Sequence, residues 1–291
     1  MRFPPNRGGF AKLHGSLSCG KNQTGRQNRD ADRIYFWQIQ KKAVSTLPFL
    51  FLSPSTQEFN PYITTGNEEY WMNQVADAME PYLQAAAVNT TRNDPSLNAA
   101  AAIRASNAGT YDFHLALHSN AAPASLSGTL QGTDVYYFPT SLRGLRMANL
   151  IVDNLRQVYP DPDRVRALAT TSIGEVSRTQ APAVLVELAY HDNLEDAVWI
   201  TGNVDAIARS LSMAVTEYFG LPFLEPRAQQ SGRVNASGGL ALRQYPSAAS
   251  APYLTIPEGT GLTVYNSYDG WYVTGYNGVL GYADAAGITL V

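Results

Sequence analysis

The sequence predicts an α/β fold with a mostly parallel sheet flanked by helices, followed by a small all-β unit. Three observations carry this. From about residue 47 to 223, short aliphatic and β-branched runs alternate with longer segments of helical period. Beyond residue 231 the helical period stops, and short strands punctuated by glycines and aromatics take over. The chain of 291 residues is 45% hydrophobic and 15% charged, which supplies a real core and excludes global disorder.

Residues 1–43 differ in composition from the rest of the chain. They hold all four lysines (Lys12, Lys21, Lys41, Lys42) and five arginines against only Asp30 and Asp32. From Ala43 onward there are twelve arginines, no lysine and twenty-two acids. Without periodicity, the first 43 residues read as disordered or as a mis-assigned extension, with translation starting near Val44. A basic tail for an anionic polymer is the second reading.

Leu47–Leu52 reads as a first buried strand, ended by the turn-prone Ser53-Pro54-Ser55. Asn67-Glu68-Glu69 opens a helix to about Ala86, with acids at its positive end and an apolar face of Trp71, Met72, Val75, Met79, Tyr82 and Leu83. Asp94 or Ser96 caps a second helix through Leu97–Ala108. Tyr111–Ser119 and Asp134–Phe138 read as strands, and Leu142–Val158 as an amphipathic helix that stops before Pro160. Ala183–Asn193 contains a buried strand, and Asn193–Tyr218 is one long or broken helix. A composition shift at Glu225–Ser237 separates a unit over 47–223 from one over 232–291, with a linker at 224–231. In the second unit, Leu240–Arg243, Leu254–Ile256, Gly261–Tyr265, Gly270–Val273 and Gly281-Tyr282 read as strands.

The net charge of −3 argues against a nucleic-acid or anionic-membrane partner. No apolar run reaches membrane-span length, and Leu47–Leu52 is too short for a secretory signal. The single cysteine, Cys19, excludes a disulfide framework and a thiolate metal site.

Four histidines are present: His14, His114, His118 and His191. His118 closes an apolar strand and Glu187 interrupts another, while Glu69 stands at a helix start. Polar groups at the ends of separate buried elements are the pattern of a zinc site with a carboxylate base beside it. Read alone, Glu187 is balanced between a satisfied structural carboxylate and a functional one. His114 lies four residues from His118, about 13 Å along a strand, too far to share an ion.

The segments Leu115–Ala121 (L-A-L-H-S-N-A), Ala183–Asn193 (A-V-L-V-E-L-A-Y-H-D-N) and Asn67–Asn73 (N-E-E-Y-W-M-N) resemble the zinc-dependent N-acetylmuramoyl-L-alanine amidases of the Amidase_3 type, over roughly 47–223. The resemblance implies a phosphorylase/hydrolase-like fold, one catalytic Zn²⁺ and hydrolysis of the amide between N-acetylmuramic acid and L-alanine. It matches Glu69 to a carboxylate ligand (with Glu68 as the fallback), His118 to a histidine ligand and Glu187 to the catalytic glutamate. The family's first histidine ligand is missing. Its place reads Ser53-Pro54-Ser55-Thr56-Gln57-Glu58, so the third ligand falls to Gln57, Glu58 or His191.

Gly232–Val291 resembles a bacterial SH3-like domain through Leu240, Leu242, Arg243, Pro246, Gly259, Trp271, Tyr272, Tyr276, Gly278, Gly281 and Tyr282. That resemblance implies a wall-binding unit, with Tyr245, Tyr265 and Tyr268 as exposed aromatics for stacking on wall peptide. The sequence thus points to a monomeric enzyme acting on peptidoglycan at the cell wall or outside the cell. A catalytically weak homologue that binds peptidoglycan is the alternative.

Overall fold

The structure is a computed structural model that describes residues 48–291; the readings of residues 1–43 and of Leu47 lie outside the described residues. Two sheets organise it. The first has six strands in the order β2-β1-β3-β6-β4-β5: β1 (Phe49–Pro54), β2 (Asn89–Arg92), β3 (Phe113–Asn120), β4 (Thr133–Tyr137), β5 (Val165–Ala169) and β6 (Ala183–Tyr190). Neighbours pair in parallel except at β4–β6, which is antiparallel, so the sheet is mixed but largely parallel.

Strand alternation decides what each face of the sheet carries. In β3, Phe113, Leu115 and Leu117 enter the main core, as do Val184, Val186 and Leu188 of β6. Each such side chain contributes about 1.5–3 kcal/mol when buried, so this face dictates the register. His114, Ala116 and His118, with Leu185 and Glu187, are thereby turned to the other face. The main face is covered by α1 (Glu68–Ala85), α3 (Leu142–Leu155) and α6 (Val204–Phe219), which pack on one another. The opposite face carries α2 (Ala99–Ala108) and the one-turn α4 (Gly174–Ser177), over a small cluster of Ala116, Val176 and Leu185.

Several boundaries differ from the sequence reading. Strand β1 runs on through Pro54 because Ser55 N still donates to Leu117 O. Helix α2 starts at Ala99 with Asn98 as its cap, while Asp94 bonds Ser96 locally. Of the two forms expected for 193–218, one long or a broken helix, the structure has the broken one, split at Asn203 into α5 (Leu194–Gly202) and α6. Strands β2 and β5 and helix α4 were not expected; each is only four or five residues long, and tertiary contacts hold it in place.

The second sheet is antiparallel and has seven strands: β7 (Gln230–Val234), β8 (Leu240–Arg243), β9 (Pro252–Ile256), β10 (Gly261–Tyr268), β11 (Trp271–Tyr276), β12 (Val279–Asp284) and β13 (Ile288–Leu290). It has its own cluster of Val234, Leu240, Leu242, Ile256, Val264, Ala283 and Ile288. Its other face joins the main core. Tyr282, fully buried, donates to Ala86 O at 3.1 Å, and Asn89 exchanges two hydrogen bonds with Leu280 across the seam. Tyr245, Tyr265 and Trp271 also pack there. This corrects the expectation that Tyr245 and Tyr265 are exposed stacking platforms; of the three tyrosines only Tyr268, 43% exposed, faces solvent. The connecting segment is anchored too: Phe223 stacks on Tyr82, and Arg209 pairs with Glu225.

Candidate functional site

The site forms where β1, β3 and β6 end, at the edge where ligands bind to parallel sheets. His118 and Glu187 are direct neighbours in the β3–β6 register and share the face away from the main core. Just beyond them the pairing slips: Asn120 is opposite Tyr190, and Ala189 takes a left-handed backbone conformation with φ +58°. A bulge of this kind re-aims the chain next to a site. Here it turns His191 back so that its Nδ1 lies 3.0 Å from Ser119 Oγ, with its ring stacked on Tyr62.

The first turn of α1 supplies the next group. Asn67 caps the helix, and Glu68 lies on the stripe that buries Met72, Val75 and Met79, so its carboxylate enters the site. Glu68 Oε1 is 2.8 Å from His118 Nδ1, and Asn60 Nδ2 donates to its Oε2 at 2.7 Å. Glu69 lies a hundred degrees round the helix. There it accepts a bond from Asn73 on the half-exposed face. The structure therefore brings the fallback Glu68, not Glu69, to His118. The signal was present in the sequence: spacings of four and seven tie Glu68, not Glu69, to Met72 and Val75.

Gln57 completes a three-way meeting. Its amide nitrogen is 3.2 Å from His118 Nδ1 and donates to Glu68 Oε1 at 3.3 Å. Glu58 points into solvent, and His191 is occupied with Ser119 and Tyr62, so neither joins the cluster. Among the described residues, no group of three His, Cys, Asp or Glu converges as a metal site; the third corner is an amide.

Sequence reasoning missed Glu175. This residue of α4 is buried behind His118, with Oε2 3.1 Å from His118 Nε2 and Oε1 3.2 Å from His114 Nε2. His114 and His118 thus share a carboxylate, although they stand too far apart to share an ion. No motif singles out Glu175, because a one-turn helix finds its place only through packing on the sheet.

The electrostatics result from this crowding. Burial opposes a charge on His118, but the hydrogen bonds and charges of Glu175 and Glu68 overcome it and push His118 up to about 10. Burial would raise Glu68 and Glu175, yet the bonds to His118 (and to His114 for Glu175) hold both carboxyls below the usual range. Glu187 behaves oppositely. Burial raises it to about 7; His118 pulls it down, while Glu68, Asp134 and Glu175 add like-charge repulsion. Its Oε2 is sealed from solvent and has no hydrogen-bond partner. An unpaired buried carboxyl oxygen is costly, and here it faces a cluster of two carboxylates and a histidine.

A family model described as N-acetylmuramoyl-L-alanine amidase (Amidase_3) matches residues 60–217. No curated protein matches the chain. Among solved structures, the chain is similar to an N-acetylmuramoyl-L-alanine amidase from Clostridium difficile 630, at 15% identity and TM-score 0.54 over 60% of this chain and 98% of that one. It is also similar to the amidase AmiC2 of Nostoc punctiforme, at 13% identity and TM-score 0.52 over 61% and 99%. The catalytic domain of CwlV from Bacillus (Paenibacillus) polymyxa var. colistinus matches at 16% identity and TM-score 0.51 over 60% and 100%. At these identities the likeness is one of fold.

Proposed function

The chain belongs to the N-acetylmuramoyl-L-alanine amidase family, and from that premise we propose that it is a peptidoglycan hydrolase cutting the amide between N-acetylmuramic acid and L-alanine. One observation carries the mechanism: Glu187 combines a buried, unpartnered oxygen with a pKa raised to about 7, beside His118 and Glu68. A general base works best when its pKa lies near the working pH. Glu187 takes the proton of the attacking water and returns it to the departing amine of L-alanine.

Glu68, His118 and Gln57 are the residues that would hold a zinc ion. Their facing atoms are 2.8, 3.2 and 3.3 Å apart. Donors of a tetrahedral ion with bonds of about 2.1 Å stand about 3.4 Å apart, so Glu68 Oε1 and His118 Nδ1, at 2.8 Å, would have to part by about 0.6 Å to hold one. A half-turn of the Gln57 amide presents its oxygen to the corner at the cost of a 3.3 Å bond from Asn60. When bound, zinc polarises the scissile carbonyl and makes the attacking water more acidic. Asn60 holds the far oxygen of Glu68, which fixes the direction in which this carboxylate presents its other oxygen.

The C-terminal antiparallel sheet is, in this proposal, an SH3-like wall-binding unit, fixed to the catalytic part by Tyr282 and Asn89. No helix among the described residues is long and apolar enough to cross a membrane. A second reading, a weak enzyme that mainly binds peptidoglycan, draws on the neutral Gln57 at the third corner, since an amide is a weaker zinc donor than imidazole.

Digestion of purified peptidoglycan with and without chelator, followed by mass analysis, tests both readings. Chelator-sensitive release of lactyl-ended glycan and free L-alanine amino termini is expected. Wall that stays uncut by wild type and Glu187→Gln alike, while both sediment with it, would establish the binding reading instead.

A further inference from the structure

We propose that Glu175 is the positioning residue that sets which nitrogen of His118 faces Glu68 and Gln57. The inference rests on the zinc reading of that corner but concerns a residue which that reading does not use. Strand β3 places the Cα of His118, yet a histidine ring about χ2 has two broad, roughly opposite orientations. Something else must choose between them.

Glu175 is built to choose. An ionised carboxylate only accepts hydrogen bonds, so His118 Nε2, 3.1 Å from Glu175 Oε2, must carry a proton. Nδ1, 2.8 Å from Glu68 Oε1, carries the second ring proton, and with Nε2–H held by Glu175 it is the nitrogen whose proton an ion in the Glu68–Gln57 corner would displace. The carboxylate is itself held by two further partners. Ser53 Oγ on β1 donates to Oε1 at 2.6 Å, and His114 Nε2 lies 3.2 Å from the same oxygen. Behind it, His114 Nδ1 meets Ser106 Oγ at 3.0 Å, and the His114 ring stacks on Phe51 at 5.2 Å. The Glu175 side chain is 5% exposed, so water is a poor substitute for these partners. A buried chain from β1, α2 and β3 thus ends on one ring nitrogen. Partners of this kind fix the tautomer of a ligating histidine.

The test uses the full-length protein and Glu175→Gln, which keeps the shape of the side chain. Ser53 holds the amide oxygen in place, so the new NH₂ group points at His118 Nε2 and leaves that nitrogen unprotonated, with the one remaining ring proton on Nδ1. Zinc affinity, read by competition with a chelator, is expected to fall roughly 10–100-fold, while Tm moves little. The ¹⁵N spectrum of the metal-free protein should show both His118 ring nitrogens protonated in wild type and Nε2 unprotonated in the variant. Ser53→Ala, which removes one anchor and leaves His118 untouched, should lower affinity only a few-fold, and serves if Glu175→Gln does not fold. Equal zinc affinity in wild type and both variants would overturn the proposal while leaving the zinc reading intact. If wild type binds no zinc, the zinc reading fails and the spectrum decides alone: Nε2–H lost in Glu175→Gln supports the positioning role, and unchanged ring protonation overturns it.

Discussion

Glu187→Gln should make the metal-free protein more stable, and increasingly so as pH rises. In the folded protein this carboxyl titrates at about 7, against 4.5 for the ordinary group, with burial as the main cause. The folded state therefore binds the proton more tightly than the unfolded chain does. The residue costs nothing below about pH 4.5, costs progressively more up to pH 7, and carries its full penalty above that. At about 1.4 kcal/mol per pH unit, the interval from 4.5 to 7 sets a ceiling of about 3 kcal/mol. Glutamine has nearly the same shape and no charge to desolvate. Urea unfolding of chelator-treated wild type and Glu187→Gln at pH 5 and pH 8 measures the difference. The variant's advantage should grow by up to about 3 kcal/mol between the two, or roughly 6–12 °C in Tm. An advantage that stays constant from pH 5 to pH 8 refutes the idea that Glu187 is an unpaired buried acid. Amidase activity should fall by about 10²–10⁴ in the same variant, the usual contribution of a general base.

Glu68→Gln should abolish stoichiometric zinc binding, whereas Glu69→Gln should leave metal content and activity within about twofold, since Glu69 bonds only within its own helix; atomic absorption on purified variants separates the two. Gln57→His should raise zinc affinity at least about tenfold by replacing an amide with imidazole, and zinc occupancy unaltered by Gln57→Ala would remove Gln57 from the site. Tyr282→Phe should cost about 1 kcal/mol for the lost bond to Ala86 O, and Tyr282→Ala about 3–5 kcal/mol. Both losses should register in a single cooperative unfolding transition, because Tyr282 belongs to the main core. Separate transitions for the two sheets would show that the seam contributes little.

Much of the fold was legible because its main core repeats a simple period. The run of Phe113, Leu115 and Leu117 and that of Val184, Val186 and Leu188 each turn every second residue into the main core, and the helices over them show the 3.6-residue stripe. Those periods also contained more of the site than its motif did, since the stripe through Met72 and Val75 selects Glu68. Short elements were not legible. Asn89–Arg92, Val165–Ala169 and Gly174–Ser177 are too short for a period to announce them and owe their form to neighbours. The same holds for Tyr245 and Tyr265, whose burial depends on where the second sheet docks.

By itself, the sequence determined the α/β order of elements, the placing of His118 and Glu187 on separate buried strands, and the absence of a first histidine at Ser53–Glu58. Each comes from local period or residue identity, which need no partner from elsewhere in the chain. Only the tertiary structure decided that Gln57 and Glu68 meet at His118 Nδ1, that Glu187 Oε2 is left without a partner, and that Glu175 stands behind the histidine. Those outcomes depend on which side chains from distant segments share one small buried volume, where desolvation and hydrogen bonding set the charge of every group at once.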